Sequence, residues 1–200
     1  MKVGVLALQG DFAEHQAMLS SLGVEAVQVR LPEELAGLSG LILPGGESTT
    51  MGKLMTAYGL LEPLRQFGAS HAIWGTCAGA ILLSRDIHRD QPLLGLMDIT
   101  VQRNAFGRQV DSFETDLEVK LNGSSDFAGK PYHAVFIRAP LIESVYGEAK
   151  VLAALPDTCK SQVRCGRIVA AQQGKLLATS FHPELTPDNR FHRYFLELAR

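Results

Sequence analysis

Cys77 is the residue best placed to do chemistry. It lies in the run Trp74-Gly75-Thr76-Cys77-Ala78-Gly79-Ala80, between two apolar stretches, with glycines two residues before and two after. That pattern reads as a buried strand, a tight turn and a helix. It exposes a nucleophile at the carboxyl end of the strand, beside a helix N-terminus whose N–H groups favour a thiolate. The glycines relieve crowding at a turn that side chains would block. A cysteine beside Gly and Ala is more often a small core residue, so Cys77 needs partners.

His182 supplies one. It follows a predicted strand, precedes Pro183, and has Glu184 two residues on. A histidine can take the thiol proton and later return it to a leaving amine. In an extended segment residues i and i+2 point the same way, so Glu184 is expected to reach the far ring nitrogen and fix the tautomer. His15 and His192 fall on predicted helices, His71 before a strand, and His88 and His133 in polar surroundings. Those five read as surface or satisfied polar residues. Acyl transfer also needs oxyanion donors. The Ala78 N–H is one, and Pro44-Gly45-Gly46-Glu47-Ser48 offers Gly46 as the other. Ser48 or Thr49 is expected to cap the following helix.

The elements that must position these residues alternate in the first half. Strands are predicted at 2–8, 24–29, 40–43 and 72–74, and helices at 12–22 (with Asp11 as N-cap), 48–58, 60–67 and 77–84. The second half is richer in β-structure, with strands at 99–102, 117–120, 134–137, 151–154, 168–172 and 176–180 and a closing helix at 189–198. This predicts an α/β fold in three layers: a mostly parallel central sheet, helices on both faces, and an extra β-rich segment. No linker divides residues 1–200, so one domain is expected. Gly10, Gly45-Gly46, Cys77 and His182 all follow predicted strands and should converge on one rim.

Two hundred residues with 46% hydrophobic and 20% charged side chains suit one globular domain. A formal charge of −2 gives no reason to expect nucleic acid or an anionic membrane. No apolar run reaches membrane-spanning length, and Met1-Lys2-Val3-Gly4-Val5-Leu6 reads as a first strand, so a cytoplasmic setting is expected. Three cysteines argue against a disulfide framework. Cys159 and Cys165 have no histidine at metal-binding spacing.

Taken together, these residues resemble class I glutamine amidotransferase domains, which are flavodoxin-like. Within that class they resemble the glutaminase subunit family of pyridoxal 5′-phosphate synthase. The motifs are Gly4-Val5-Leu6-Ala7-Leu8-Gln9-Gly10, Leu43-Pro44-Gly45-Gly46-Glu47-Ser48-Thr49-Thr50, Gly75-Thr76-Cys77-Ala78-Gly79, Arg103-Asn104-Ala105-Phe106-Gly107-Arg108-Gln109, Phe136-Ile137-Arg138-Ala139-Pro140 and Phe181-His182-Pro183-Glu184-Leu185-Thr186. The elbow and the His-x-Glu pair mark the wider class, and the runs around Glu47 and Arg103 are specific to the subunit family.

The resemblance implies hydrolysis of L-glutamine to L-glutamate and ammonia by a Cys77-His182-Glu184 triad, through a glutamyl thioester and without metal or cofactor. Gly46 and Ala78 form the oxyanion hole. By the same resemblance, Gly46, Glu47, Ser48, Arg103, Ile137 and Arg138 are expected to contact glutamine. The implied partner is a (β/α)₈-barrel synthase subunit that uses the ammonia with ribose 5-phosphate and glyceraldehyde 3-phosphate, and Gln9-Gly10 resembles the segment that couples the two. Other readings are the glutaminase of another amidotransferase, such as one in histidine biosynthesis, a cysteine peptidase or small-molecule hydrolase, and a non-catalytic regulatory module.

Overall fold

Strand residues divide between two cores. Val3, Val5, Ile42, Ala72, Trp74 and Leu177 pack with Leu19, Phe191 and Phe195, whereas Leu41, Leu43, Ile73 and Ala178 pack with Met51, Met55, Leu64 and Leu82. Neighbouring positions such as Leu41 and Ile42 point to opposite faces of a strand. One sheet therefore separates two helical layers. The structure is a computed structural model that describes residues 1–103, 112–120, 127, 129–156 and 166–200.

In chain order the first half runs β1 (Lys2–Leu6), α1 (Phe12–Ser21), β2 (Glu25–Val29), β3 (Gly40–Leu43), α2 (Ser48–Ala57), α3 (Leu61–Gly68), β4 (Ala72–Thr76), α4 (Ala78–Leu83) and β5 (Ser84–Asp86). The second half continues with β6 (Met97–Gln102), β7 (Phe113–Leu117), β8 (Tyr132–Phe136), β9 (Leu141–Val145), β10 (Lys150–Ala154), β11 (Ile168–Gln173), β12 (Leu176–Thr179) and α5 (Arg190–Leu198). Ten strands form one sheet, ordered β2-β1-β3-β4-β12-β11-β9-β6-β5, with β10 paired to β11. The five strands from β2 to β12 are all parallel. Beyond β12 the pairing turns antiparallel, apart from β5 on β6.

The chain leaves β1 for β2 on one side and returns to β3 on the other. That reversal opens a crevice at the carboxyl ends of β1 and β3, where open α/β sheets hold ligands. The turns after β1, β3, β4 and β12 share this rim, as the sequence predicted.

Several expectations need correction. The strand placed at 117–120 is β7 at Phe113–Leu117, which pairs with β8 as a separate two-stranded ribbon. Its alternating acidic residues turn to solvent, so little apolar signal marks it. β5 and β9 were not predicted: β5 is short and polar, and Glu143-Ser144 interrupts the apolar run of β9. Cys159, Cys165 and residues 104–109 of the Arg103 run lie outside the described residues. Among the described residues, no helix is long and apolar enough to cross a membrane.

Candidate active site

The elbow comes first. β4 ends at Thr76, α4 starts at Ala78, and Cys77 between them has φ 48° and ψ −105°. A side chain rarely adopts that backbone, and such strain concentrates at functional turns. The flanking glycines are needed for close approach. A Cβ on Gly75 would collide with the Gly79 backbone, and one on Gly79 would strike the Leu43 carbonyl. Both would push α4 off the sheet. The Cys77 N–H donates to the Thr179 carbonyl at 2.8 Å, tying the elbow to β12.

His182 arrives from β12 and its N–H donates to the Val135 carbonyl at 2.9 Å. Its Nδ1 lies 2.7 Å from Glu184 Oε1. Pro183–Leu185 is a short 3-10 turn, so Glu184 reaches the ring around a turn and not along an extended segment, as had been expected. Burial disfavours charge on His182, but hydrogen bonds to Cys77 and Glu184 outweigh it and push its pKa up to about 10. Burial raises the pKa of Glu184, opposed by the hydrogen bond to His182. With Nδ1 occupied, Nε2 is the ring nitrogen that remains for a further partner.

Asp11 was read as the cap of α1. It makes no side-chain cap bond there. Its Oδ2 instead lies 3.4 Å from His182 Nδ1, giving that nitrogen a second carboxylate. Burial raises the Asp11 pKa, and the charge on His182 pulls it back. Its one sequence signal is its place directly after Gln9-Gly10 in the turn that follows β1.

The turns after β1 and β3 interlock. Gly10 has φ 102°, and a Cβ there would run into the Gly45 carbonyl. That carbonyl accepts from Asp11 N–H at 3.1 Å, and Glu47 N–H donates to Gln9 Oε1 at 2.6 Å. All peptides are trans among the described residues, so fixing the Gly45 carbonyl turns the Gly46 N–H to the opposite side.

Glu47, not Ser48 or Thr49, caps α2. It accepts from Thr49 N–H at 3.1 Å and Thr50 N–H at 2.7 Å. Partial burial opposes its charge, but these bonds and the Thr50 hydroxyl bring its pKa down to about 2. Arg103, just past β6, places Nη2 3.0 Å from Glu47 Oε1 and donates from Nη1 to Thr49 Oγ1 and Gln91 Oε1. Ser48 Oγ is buried with no partner. A cavity of about 340 Å³ opens over this floor. It brings together Gln9, Gly46, Glu47, Ser48, Cys77, Ala78, Arg103, Ile137, Arg138 and His182. Gly10 and Glu184 stand behind its lining.

Of the remaining histidines, His88 and His133 are exposed and paired with acids, and His71 stacks on Phe67. His15 and His192 are fully buried, and His15 Nε2 lies 3.3 Å from Glu184 Oε2. Nothing in their spacing along α1 and α5 marked them as neighbours.

A cysteine elbow and a histidine–carboxylate pair at the rim of a parallel sheet define the glutamine amidotransferase class, and the comparisons agree. The sequence matches the SNO glutamine amidotransferase family over residues 5–200, and the chain belongs to that family. It is 59% identical to the pyridoxal 5′-phosphate synthase subunit PdxT of Herpetosiphon aurantiacus, covering 99% of this chain and 100% of that protein. The PdxT of Moorella thermoacetica is 54% identical, with 99% of both chains covered. A crystal structure of a glutamine amidotransferase superposes with a TM-score of 0.87 at 52% identity, covering 98% of each chain. The structure of PurLQS from Thermotoga maritima, at 16% identity and TM-score 0.70, covers 100% of this chain and 98% of that one and shares the fold.

Proposed function

We propose that this chain is the glutaminase subunit of a pyridoxal 5′-phosphate synthase. It hydrolyses L-glutamine to L-glutamate and ammonia. Its relatives' names and the family support the role, and one observation carries the chemistry: His182, bonded at Nδ1 to Glu184 and raised in pKa by Cys77 and Glu184 against its burial, beside a strained elbow.

Cys77 Sγ adds to the side-chain amide carbon of glutamine as His182 holds the thiol proton. The N–H groups of Ala78 and Gly46 receive the developing oxyanion. The C–N bond then breaks, and His182 gives its proton to the departing ammonia. A glutamyl thioester remains on Cys77. Water adds to it as His182 takes a proton, and the thiolate leaves with release of glutamate. Glu184 keeps the imidazolium stable and oriented throughout. Glu47 offers a carboxylate to the glutamine ammonium, and Arg103, Ser48, Ile137 and Arg138 complete the pocket.

The proposed unit is a single domain over residues 1–200, working in the cytoplasm beside a (β/α)₈-barrel synthase subunit. Gln9 and Gly10 couple the two, since the Gln9 side chain already holds the Glu47 N–H next to Gly46. Glutamate release measured with and without the synthase subunit tests the reading. Turnover is expected in the pair and background in Cys77→Ala, whereas unchanged release in that variant would refute it.

A further inference from the structure

Behind Glu184 the polar chain continues into the core. Oε1 holds His182, while Oε2 is buried without an aligned hydrogen bond. His15, on α1, brings Nε2 to 3.3 Å from Oε2. The same nitrogen lies 3.1 Å from Oγ1 of Thr76, the residue before the nucleophile. His15 Nδ1 lies 3.1 Å from Nε2 of His192, on α5. Trp74 meets both rings edge-on, at 5.7 Å for His15 and 4.9 Å for His192. Three elements, α1, α5 and β4, therefore meet at His15, which faces one carboxylate oxygen.

One choice of tautomers fits these contacts. A neutral His192 donates its Nε2–H to His15 Nδ1. His15 then carries its proton on Nε2, facing Thr76 Oγ1 with Glu184 Oε2 beside it. What stays unpaired is His192 Nδ1, as an acceptor. The reverse choice aims a His15 lone pair at the carboxylate and buries an unpaired His192 N–H, the costlier outcome. Burial keeps both rings neutral, helped for His15 by the positive charge of His182.

We propose that His15 is a positioning residue of the triad, a neutral imidazole that holds Glu184 Oε2 from the core side while Thr76 and His192 hold His15. A carboxylate gripped at one oxygen can swing or take up a proton, and either removes support from the His182 cation. The other titratable groups facing Glu184 do not replace this contact. Asp11 adds a like charge from the cavity side, and Tyr132 on β8 stays neutral through burial. The proposal borrows its substrate from the glutaminase reading.

The test is the pH profile of kcat/KM for glutamine, with the synthase subunit present, in His15→Leu and His15→Gln. His15→Leu should lower kcat by about tenfold or more, the scale seen when groups hydrogen-bonded behind metal ligands are removed, with KM nearly unchanged. Its alkaline limb should move to lower pH, because His182 loses part of what keeps it charged. His15→Gln, which retains an N–H donor, should recover most of both. A folded His15→Leu with wild-type kcat and an unmoved limb overturns the proposal. If that variant does not fold, Thr76→Val, which leaves the His15 N–H to Glu184 alone, decides: an alkaline limb moved to higher pH supports the proposal, and an unmoved or lowered one overturns it. Alkylation of Cys77 by iodoacetamide is followed across the same pH range. A wild type that alkylates but releases no glutamate refutes the glutaminase reading alone, and His15→Leu must then still shift the alkylation profile for the positioning role to stand.

Discussion

His182 and His133 each sit between two carboxylates. His133, on the exposed β7–β8 ribbon, gives Nδ1 to Asp116 and Nε2 to Glu114, both at 2.9 Å. His182 receives both of its carboxylates on Nδ1, Glu184 at 2.7 Å and Asp11 at 3.4 Å. Hydrogen bonds raise both pKa values. Their chemistry differs because His133 has spent both nitrogens, whereas His182 keeps one for Cys77. Their surroundings differ too: the His182 side chain is 5% exposed and the His133 side chain 52%. Water screens the second pair of contacts and leaves the first at nearly full strength. A histidine between acids is therefore common currency, and burial with one uncommitted nitrogen is what makes a base.

The sharpest way to break this contrast is to neutralise one acid in each cluster. Glu184→Gln should cut kcat by up to about 10⁴-fold, the loss seen when the orienting carboxylate of a Ser-His-Asp triad becomes its amide. Asp116→Asn should leave glutamine turnover unchanged. A Glu184→Gln enzyme within tenfold of wild type would contradict the role given to the pair.

The next effect is on stability and follows from the buried histidines. Burial pushes the His192 pKa down to about 3 and that of His15 well below its usual value. Unfolded histidines take up protons below about pH 6.5. The unfolded state then binds more protons than the fold, so stability falls as pH drops through this window. The slope is up to about 1.4 kcal/mol per pH unit for each histidine. His182 and His133 have the opposite sign, since raised pKa values lend stability at low pH that is lost as pH rises, and exposure keeps the His133 share small. Urea unfolding between about pH 7 and 5 should show a shallower slope in His192→Phe than in wild type. Equal slopes would mean that His192 titrates freely in the fold. The smallest effect belongs to His133→Ala, whose stability should stay within about 0.5 kcal/mol of wild type.

Much of the site was legible in the sequence because its signals are local. A strand end, two glycines and a cysteine sit within five residues, and so do a strand end, a histidine, a proline and a glutamate. The sheet order then does the assembling, since four neighbouring parallel strands must present their ends on one rim. What was not legible depends on how distant elements face each other. Asp11 looked like a helix cap until the turn after β12 brought His182 to it, and Glu47 took the cap assigned to Ser48 or Thr49. His15 and His192 lie 177 positions apart on two helices, and nothing along α1 or α5 says that their polar positions meet behind Glu184. β7 and β9 escaped for the plainer reason that exposed or interrupted strands carry little apolar pattern.

The central claim is that Cys77 is the nucleophile of a glutamine-specific site. It is tested most directly by labelling with a glutamine-analogue electrophile in the presence of the synthase subunit, with the labelled peptide identified by mass. The account predicts one label per chain, on Cys77, prevented by excess glutamine, with glutamate release falling in proportion to labelling. Label on another residue, or undiminished release from chains fully labelled at Cys77, would contradict it.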